Sequence, residues 1–377
     1  MKRLSFPIIV TLTLTLMLSA CKHNKNFSDQ EYIDFVENAL HDINKDNPHS
    51  INASINIDAF VQRIYNQMCD VDKKKLKQFI ETNFKPGNIL LSFVEEGADL
   101  RFIRFYRQND TAHAIIRTYY NGGISVEDWE LGQKNGQITI NDAFSVVSGI
   151  HWSDDWRMKA CRNFHIINDE TILINQLIEI NALITKGEYA QADSAFFWVE
   201  QACINNLYGS TMQFNLASLH LPYDEVHALA KDFLSKFPQH KHITEFYLLQ
   251  SAIVNGLVDK VEYHNQNLQP LLGFDPVYFV YKSWALNHAN RLEESLQMLD
   301  SAIFYMPQVY DFYHNKLDIY YELRKYNEML THLYVIDSIF APTDKDVPFI
   351  EKSYPELLKL KAFDEWKSQR LFLSNSY

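Results

Sequence analysis

Between residues 171 and 343 the chain repeats bulky and small residues with a period of 34, and no other feature restricts its architecture as strongly. The clearest copy runs from Pro276 to Val309. In it Asn290-Arg291-Leu292-Glu293-Glu294-Ser295 reads as a turn opening a second helix, Ala302 holds a late small position, and Pro307 stops that helix. A step of one period forward brings Tyr313, Tyr320 and Tyr326 to the large positions, with Pro342 one residue past the expected stop. A step back brings Gly256 to the turn, and a further copy ends at Pro238 with Tyr223 at the turn aromatic. A helix pair of this length has an apolar face that only its neighbours can cover, so the pattern predicts a quasi-one-dimensional stack. The units fall near 173–206, 207–241, 242–275, 276–309 and 310–343. Leu357, Leu358, Leu360, Phe363 and Trp366 then predict one amphipathic helix between Ile350 and Phe372, and segment 344–377 reads as the cap of the last unit. Only 11 Gly and 11 Pro stand against 21 Tyr, 25 Phe and 6 Trp, as helix interiors require.

Gly187-Glu188-Tyr189-Ala190-Gln191-Ala192 resembles the turn and second-helix opening of a tetratricopeptide repeat: Gly187 allows the tight turn, Tyr189 packs between helices and Ala192 permits close approach. With the period, this makes 171–343 similar to a tetratricopeptide (TPR) α-solenoid of about five repeats. The resemblance implies a concave groove lined by the first helix of each unit. Its groove positions map onto Trp284, Asn287 and His288 in one unit and His314, Asp318 and Tyr321 in the next. A Trp with amide, His and Tyr groups suits a peptide or a sugar face, since aromatic anchors dominate binding at such surfaces. The same residues equally suit packing between helices. No basic clamp for a C-terminal carboxylate is apparent.

Residues 29–165 have a different rhythm. Tyr32, Phe35, Val36, Ala39 and Leu40 follow the helical period, and further helices are predicted around Ile57–Met68 and Asp72–Phe84. Then come short runs rich in β-branched and aromatic residues: Leu100–Tyr106, Ala112–Tyr120, Ile124–Leu131 and Gln137–Val146. Gln108-Asn109-Asp110, Asn121-Gly122-Gly123 and Lys134-Asn135-Gly136 separate them as turn signals. Helices followed by a four-stranded antiparallel meander make an α+β module, and the fold class as a whole reads as mostly α. The order is similar to nuclear-transport-factor-like (NTF2) or cystatin-like modules, and the segment from Trp129 to Ile140 resembles their closing hairpin. Cone-shaped folds of that kind often hold a pocket.

The chain begins with Met1-Lys2-Arg3, continues through an uncharged apolar segment from Leu4 to Met17, and reaches Leu18-Ser19-Ala20-Cys21. A basic start, a short apolar core and small residues before a cleavage point form a secretory signal, too short for a membrane span. Leu-Ser-Ala-Cys resembles a bacterial lipobox, which implies a signal peptide at 1–20, lipidation of Cys21, and a tether over 21–28. Several acyl chains would hold the protein far better than one. Lys22, without a following acidic run, implies by analogy the periplasmic face of the outer membrane. Loss of the signal removes Lys2 and Arg3 and leaves 33 basic against 47 acidic residues, a charge of −14. Such a surface excludes nucleic acid and a polybasic grip on anionic lipid.

Motifs for catalysis are lacking: there is no phosphate-binding loop, dinucleotide glycine pattern, HExxH, nucleophile elbow or CxxC pair. No cofactor and no metal are expected. His151, Asp154 and Asp155 have the chemistry to bind a metal or pass protons, but the context favours Ser153 or Asp154 as the cap of a helix beginning near Asp155, with Trp152 and Trp156 packing at one end of the sheet. His240 and His242, following Pro238, read as a solvated loop between units. Cys69, Cys161 and Cys203 read as buried thiols. The sequence therefore suggests a non-enzymatic envelope lipoprotein that recruits envelope proteins through its repeat groove. The alternative is a glycan- or small-ligand-binding lipoprotein of an outer-membrane uptake system. An enzyme in the α+β module would need His151 or Asp154 inside its pocket.

Overall fold

Ser28 starts the first helix: its hydroxyl accepts from the Glu31 N–H at 3.3 Å while the Glu31 carboxylate accepts from the Ser28 N–H at 2.9 Å, a reciprocal capping box. The computed structural model describes residues 27–68, 71–120, 122–166, 169–203, 205–340 and 346–374, with the side chains of 170, 171, 271 and 371–374 left aside. The expected signal, Cys21, Cys69, Pro342 and most of the tether lie outside the described residues. Helix α1 (Asp29–Ile43) buries Tyr32, Val36, Ala39, Leu40 and Ile43 along one face. After it come α2 (His49–Ser54), α3 (Ile57–Tyr65), α4 (Lys73–Asn83) and α5 (Pro86–Glu95). Helices α2 and α5 add to the three that periodicity predicts. The first spans under two turns, too short to show a period, and the second is opened by Pro86 at its first position.

Strands β1 (Asp99–Gln108), β2 (Thr111–Tyr120), β3 (Gly123–Lys134), β4 (Gln137–Ser145) and the two-residue β5 (Ile150–His151) pair in sequence order as an antiparallel meander. Two hairpins close on two-residue loops, Gln108 pairing with Thr111 and Lys134 with Gln137. Their central residues, Asn109 and Asp110 (φ 48° and 63°) and Asn135 and Gly136 (φ 54° and 77°), are left-handed, the backbone that matches strand twist. One face of the sheet presents Leu100, Ala112, Ala114, Ile116, Trp129, Leu131 and Ile140 to a core shared with α1–α5. The opposite face carries Ile115, Arg117, Tyr119, Val126 and Val146, and these too are buried.

The cover on that second face is the rest of the chain. After α6 (Trp152–Asn163), helix pairs follow one another: α7 (Asp169–Thr185) with α8 (Tyr189–Phe197) and the short α9 (Glu200–Cys203); α10 (Leu207–His220) with α11 (Tyr223–Lys236); α12 (Lys241–Val254) with α13 (Val258–Leu272); α14 (Val277–His288) with α15 (Leu292–Tyr305); α16 (Tyr310–Glu322) with α17 (Tyr326–Ile339). Gly256, Asn290 and Arg324, one period apart, all take left-handed φ (66°, 57° and 57°) where one helix of a pair turns into the next. The terminal segment is not the single helix expected. It forms α18 (Asp346–Ser353) and α19 (Lys361–Ser374), separated by a 3-10 turn at Pro355–Lys359, because Pro355 cannot continue α18. Leu357, Phe363 and Trp366 are buried against the last pair, whereas Leu358 is exposed.

Sheet and stack are joined by polar contacts as well as apolar ones. Arg117 on β2 pairs with Asp99 on β1 and with Asp275 before α14, at 2.8 Å to the latter. The Arg101 guanidinium donates to the Tyr305 carbonyl at 3.0 Å, and Arg104 to that of Pro270. Tyr247 on α12 donates to the Val147 carbonyl. The turn before β3 is held by the Gly122 N–H donating to Asp311 on α16 at 3.0 Å, and the Tyr119 ring lies 5.2 Å from that of Phe312.

Candidate ligand pocket

The residues predicted to line a groove separate into two places. Trp284 on α14 is half-buried and lies against the turn before β3, so close that a β-carbon on Gly122 would stand 3.5 Å from its ring. With Gly123, Ile124, Val147, Phe246 and Leu249, it walls a cavity of about 360 Å³ between sheet and stack, with His288 at the edge. Asn287 is half-buried on the same helix. His314, Asp318 and Tyr321 on α16 instead meet the terminal segment. The Tyr354 hydroxyl donates to Asp318 at 2.7 Å and stands 3.3 Å from His314 Nε2, and the Tyr321 and Tyr354 rings are 5.3 Å apart. Both sets of residues predicted to line a groove thus meet other parts of the molecule, Trp284 the turn before β3 and the α16 residues the C-terminal segment.

His151 and Asp154 line a smaller cleft of about 170 Å³ with Arg157 and Tyr208, and they are not among the residues lining the pocket of about 420 Å³ in the α+β module. The expected cap is corrected. Helix α6 begins at Trp152, and its first turn is capped from β4: the Asp142 carboxylate accepts from the Ser153 N–H at 3.1 Å and from its hydroxyl at 2.5 Å. His240 and His242 are corrected too. Both pack against the Phe144 ring, at 5.6 and 6.2 Å, where the sheet meets the stack. Burial, with His240 adjacent, pushes the His242 imidazole down to about 4. Pro238, Gln239 and Lys241 are exposed, as a linker would be, but His240 and His242 are half-buried, because the sheet sets Phe144 against them and no local pattern in the sequence announces that contact. Among the described residues, no group of three or more His, Cys, Asp or Glu is placed to hold a metal ion.

The cavity of about 420 Å³ lies at the end of the sheet, between β2 and β3 on one side and α5 and α6 on the other. Phe84, Pro86, Ile89, Leu90 and Phe93 form one wall, Trp152 and Trp156 another, and Thr118, Tyr120, Ser125 and Glu127 project from the strands. The aromatic wall is fixed by mutual packing. The Phe84 ring stacks on Phe60 at 4.4 Å and meets Trp152 and Trp156 at 5.6 and 5.2 Å. Glu127 sits on the inward face of β3, two residues before the fully buried Trp129. Its carboxylate accepts from Trp129 Nε1–H at 3.1 Å and from Trp152 Nε1–H at 3.4 Å. Burial raises its pKa above the ordinary carboxylate value, and the two indole donors counteract part of that rise. Asp155 and Lys159 form a 2.6 Å ion pair on the rim, with the Lys159 ammonium 4.6 Å from the Trp156 ring centre. Concave, apolar and furnished with one perturbed acid, this is the arrangement in which small ligands are usually held.

Sequence reasoning missed Glu127. Its only signal was register: with Trp129 and Leu131 facing inward on an alternating strand, residue 127 must face inward too. No protein-family model, curated protein or solved structure matches the chain.

Proposed function

We propose that this chain is a lipid-anchored protein of the bacterial envelope that works by binding a small, largely apolar ligand in the aromatic pocket of its α+β module. The observation that carries this reading is the pocket itself: about 420 Å³, with Phe84, Trp152 and Trp156 locked by ring packing and Glu127 on its strand wall. We take the helix pairs to be a tetratricopeptide-like array and the α+β module to be of the NTF2-like or cystatin-like kind. In this reading the array serves as a rigid backing that holds the sheet, and through it the pocket, in one shape. Support for this weighting comes from the expected groove residues, since Trp284 lies against the turn before β3 and Asp318 accepts from Tyr354 of the C-terminal segment, which leaves less surface for a peptide partner.

The experiment is titration of the protein with N-phenylnaphthylamine, whose emission rises on entering an apolar site, beside a Ser125→Trp variant that fills the pocket. Saturable enhancement in the parent, lost in a variant with unchanged far-ultraviolet dichroism, is the expected result. Equal enhancement in both would overturn the assignment.

Recruitment of a partner protein remains a second reading, favoured by one observation. Phe197 and Trp198, at the end of α8, form an edge-to-face pair with Trp198 82% exposed, an anchor of the type that dominates interfaces. Crosslinking in the native envelope would test it: a stoichiometric partner captured by the parent and lost in Trp198→Ala is the outcome it requires.

A further inference from the structure

Glu127 differs from the other acids that the sheet holds around it. Glu130 and Asp142 both pair with Arg63, at 2.5 and 3.1 Å, and Asp99 pairs with Arg117. Glu127 is held by two indole N–H groups, and among the described residues no Lys, Arg or His forms an ion pair with it. Indole donors satisfy lone pairs but bring no charge. A carboxylate withdrawn from water into an apolar surround is costly unless it is paired with a cation. The basic group that shares the pocket, Lys159, is engaged on the rim with Asp155 and the face of Trp156.

The walls around Glu127 favour a cation as well. Phe84, Tyr120, Trp152 and Trp156 all line the same cavity, and ring faces attract a positive charge most strongly when water is excluded. Lys159 over Trp156 already shows one such contact in this pocket. An anion would be repelled by Glu127 and by Asp155, and a neutral apolar molecule would leave Glu127 without a counter-charge.

Resting on the pocket assignment above, we propose that the ligand is an organic ammonium compound: an apolar body that fills the aromatic cavity and one positively charged amine that pairs with Glu127. The specificity-determining residue is Glu127, with Trp129 and Trp152 positioning its carboxylate.

Three probes with one body and different heads test this: 4-phenylbutylamine, 4-phenylbutanol and 4-phenylbutyrate, titrated by calorimetry into the full-length protein at neutral pH. The expected order is amine tightest, by tenfold or more over the alcohol, and the carboxylate weakest. Glu127→Gln, nearly isosteric, removes the amine's advantage while leaving the alcohol's affinity within about twofold. Ser125→Trp abolishes binding of all three. Alcohol or carboxylate binding as tightly as the amine would overturn the ammonium assignment and leave the pocket standing. So would full amine preference in Glu127→Gln. Should none of the three bind the parent, the pocket assignment falls and the ligand class with it. Thermal melting of each variant separates loss of binding from loss of fold.

Discussion

Arg117 on β2 and Asp275 at the start of α14 meet across the boundary between the sheet and the helix stack, guanidinium Nε to carboxylate Oδ2 at 2.8 Å. Arg117 is almost fully buried and also contacts Asp99, which Arg101 pairs with in addition at 3.0 Å, so Asp275 is the carboxylate that loses its guanidinium partner outright when Arg117 is removed. Removing one partner of a buried pair leaves the other charge stranded, at a cost of about 3–5 kcal/mol. Arg117→Met should lower unfolding stability in urea by an amount of that order. Adding Asp99→Asn and Asp275→Asn should restore most of it. A single variant within 1 kcal/mol of the parent would mean that the ion pair does not secure the boundary.

The histidines at the same boundary set a pH dependence. Free histidine titrates near 6.5, whereas His242 is pushed to about 4 by burial and by His240, against an opposing pull from Asp128. His240 is lowered in turn by burial and by His151. Because the folded values lie below the unfolded one, the unfolded chain takes up protons first. The contribution is complete above about pH 6.5 and is lost as pH falls toward 4. For His242 it is on the order of 2–3 kcal/mol. His242→Leu should therefore flatten the fall in urea midpoint between pH 7 and pH 5 relative to the parent. Parallel curves would rule out His242 as a source of acid sensitivity.

Arg324 takes a left-handed backbone, φ 57°, at the turn that Gly256 occupies two units earlier. A side chain there costs roughly 1–2 kcal/mol, partly offset by the greater freedom glycine has when unfolded. Arg324→Gly should raise stability by about 0.5–1 kcal/mol, seen as a higher melting temperature. Destabilisation would show that the arginine side chain makes a contact worth more than the strain.

Cys21 is expected to carry the lipid, from the residues Leu18-Ser19-Ala20-Cys21. Cys21→Ser should abolish metabolic labelling with a fatty-acid analogue and move the protein from the membrane pellet to the soluble fraction. Retention of the variant in the membrane would refute the anchor.

Much of the secondary structure was written in local chemistry. Asn109-Asp110 and Asn135-Gly136 mark their hairpins because few other residues tolerate two consecutive left-handed conformations, and β1 to β4 fall around the segments those turns delimit. The turns at Gly256 and Asn290 were visible for the same reason. The union of sheet and stack was not, because it depends on contacts such as Tyr119 with Phe312, 193 positions apart in the chain. One sign was present: Ala114-Ile115-Ile116 is apolar without alternation, as strands covered on both faces tend to be. The pocket was less legible still, since Thr118, Glu127 and Trp156 come from three separate elements and Phe84 from the link between α4 and α5, and no local pattern unites them.

Helix pairs that touch only their neighbours in sequence are free to rock on one another, and their unfolding can spread from either end. The sheet's contacts with α12, α16 and the start of α14 oppose both motions here: shifting these helices past one another would tear Arg117 from Asp275, Gly122 from Asp311 and Tyr247 from the Val147 carbonyl. These helices are therefore pinned to one plate, like links welded in place, and fraying from the C-terminus should halt where that plate begins.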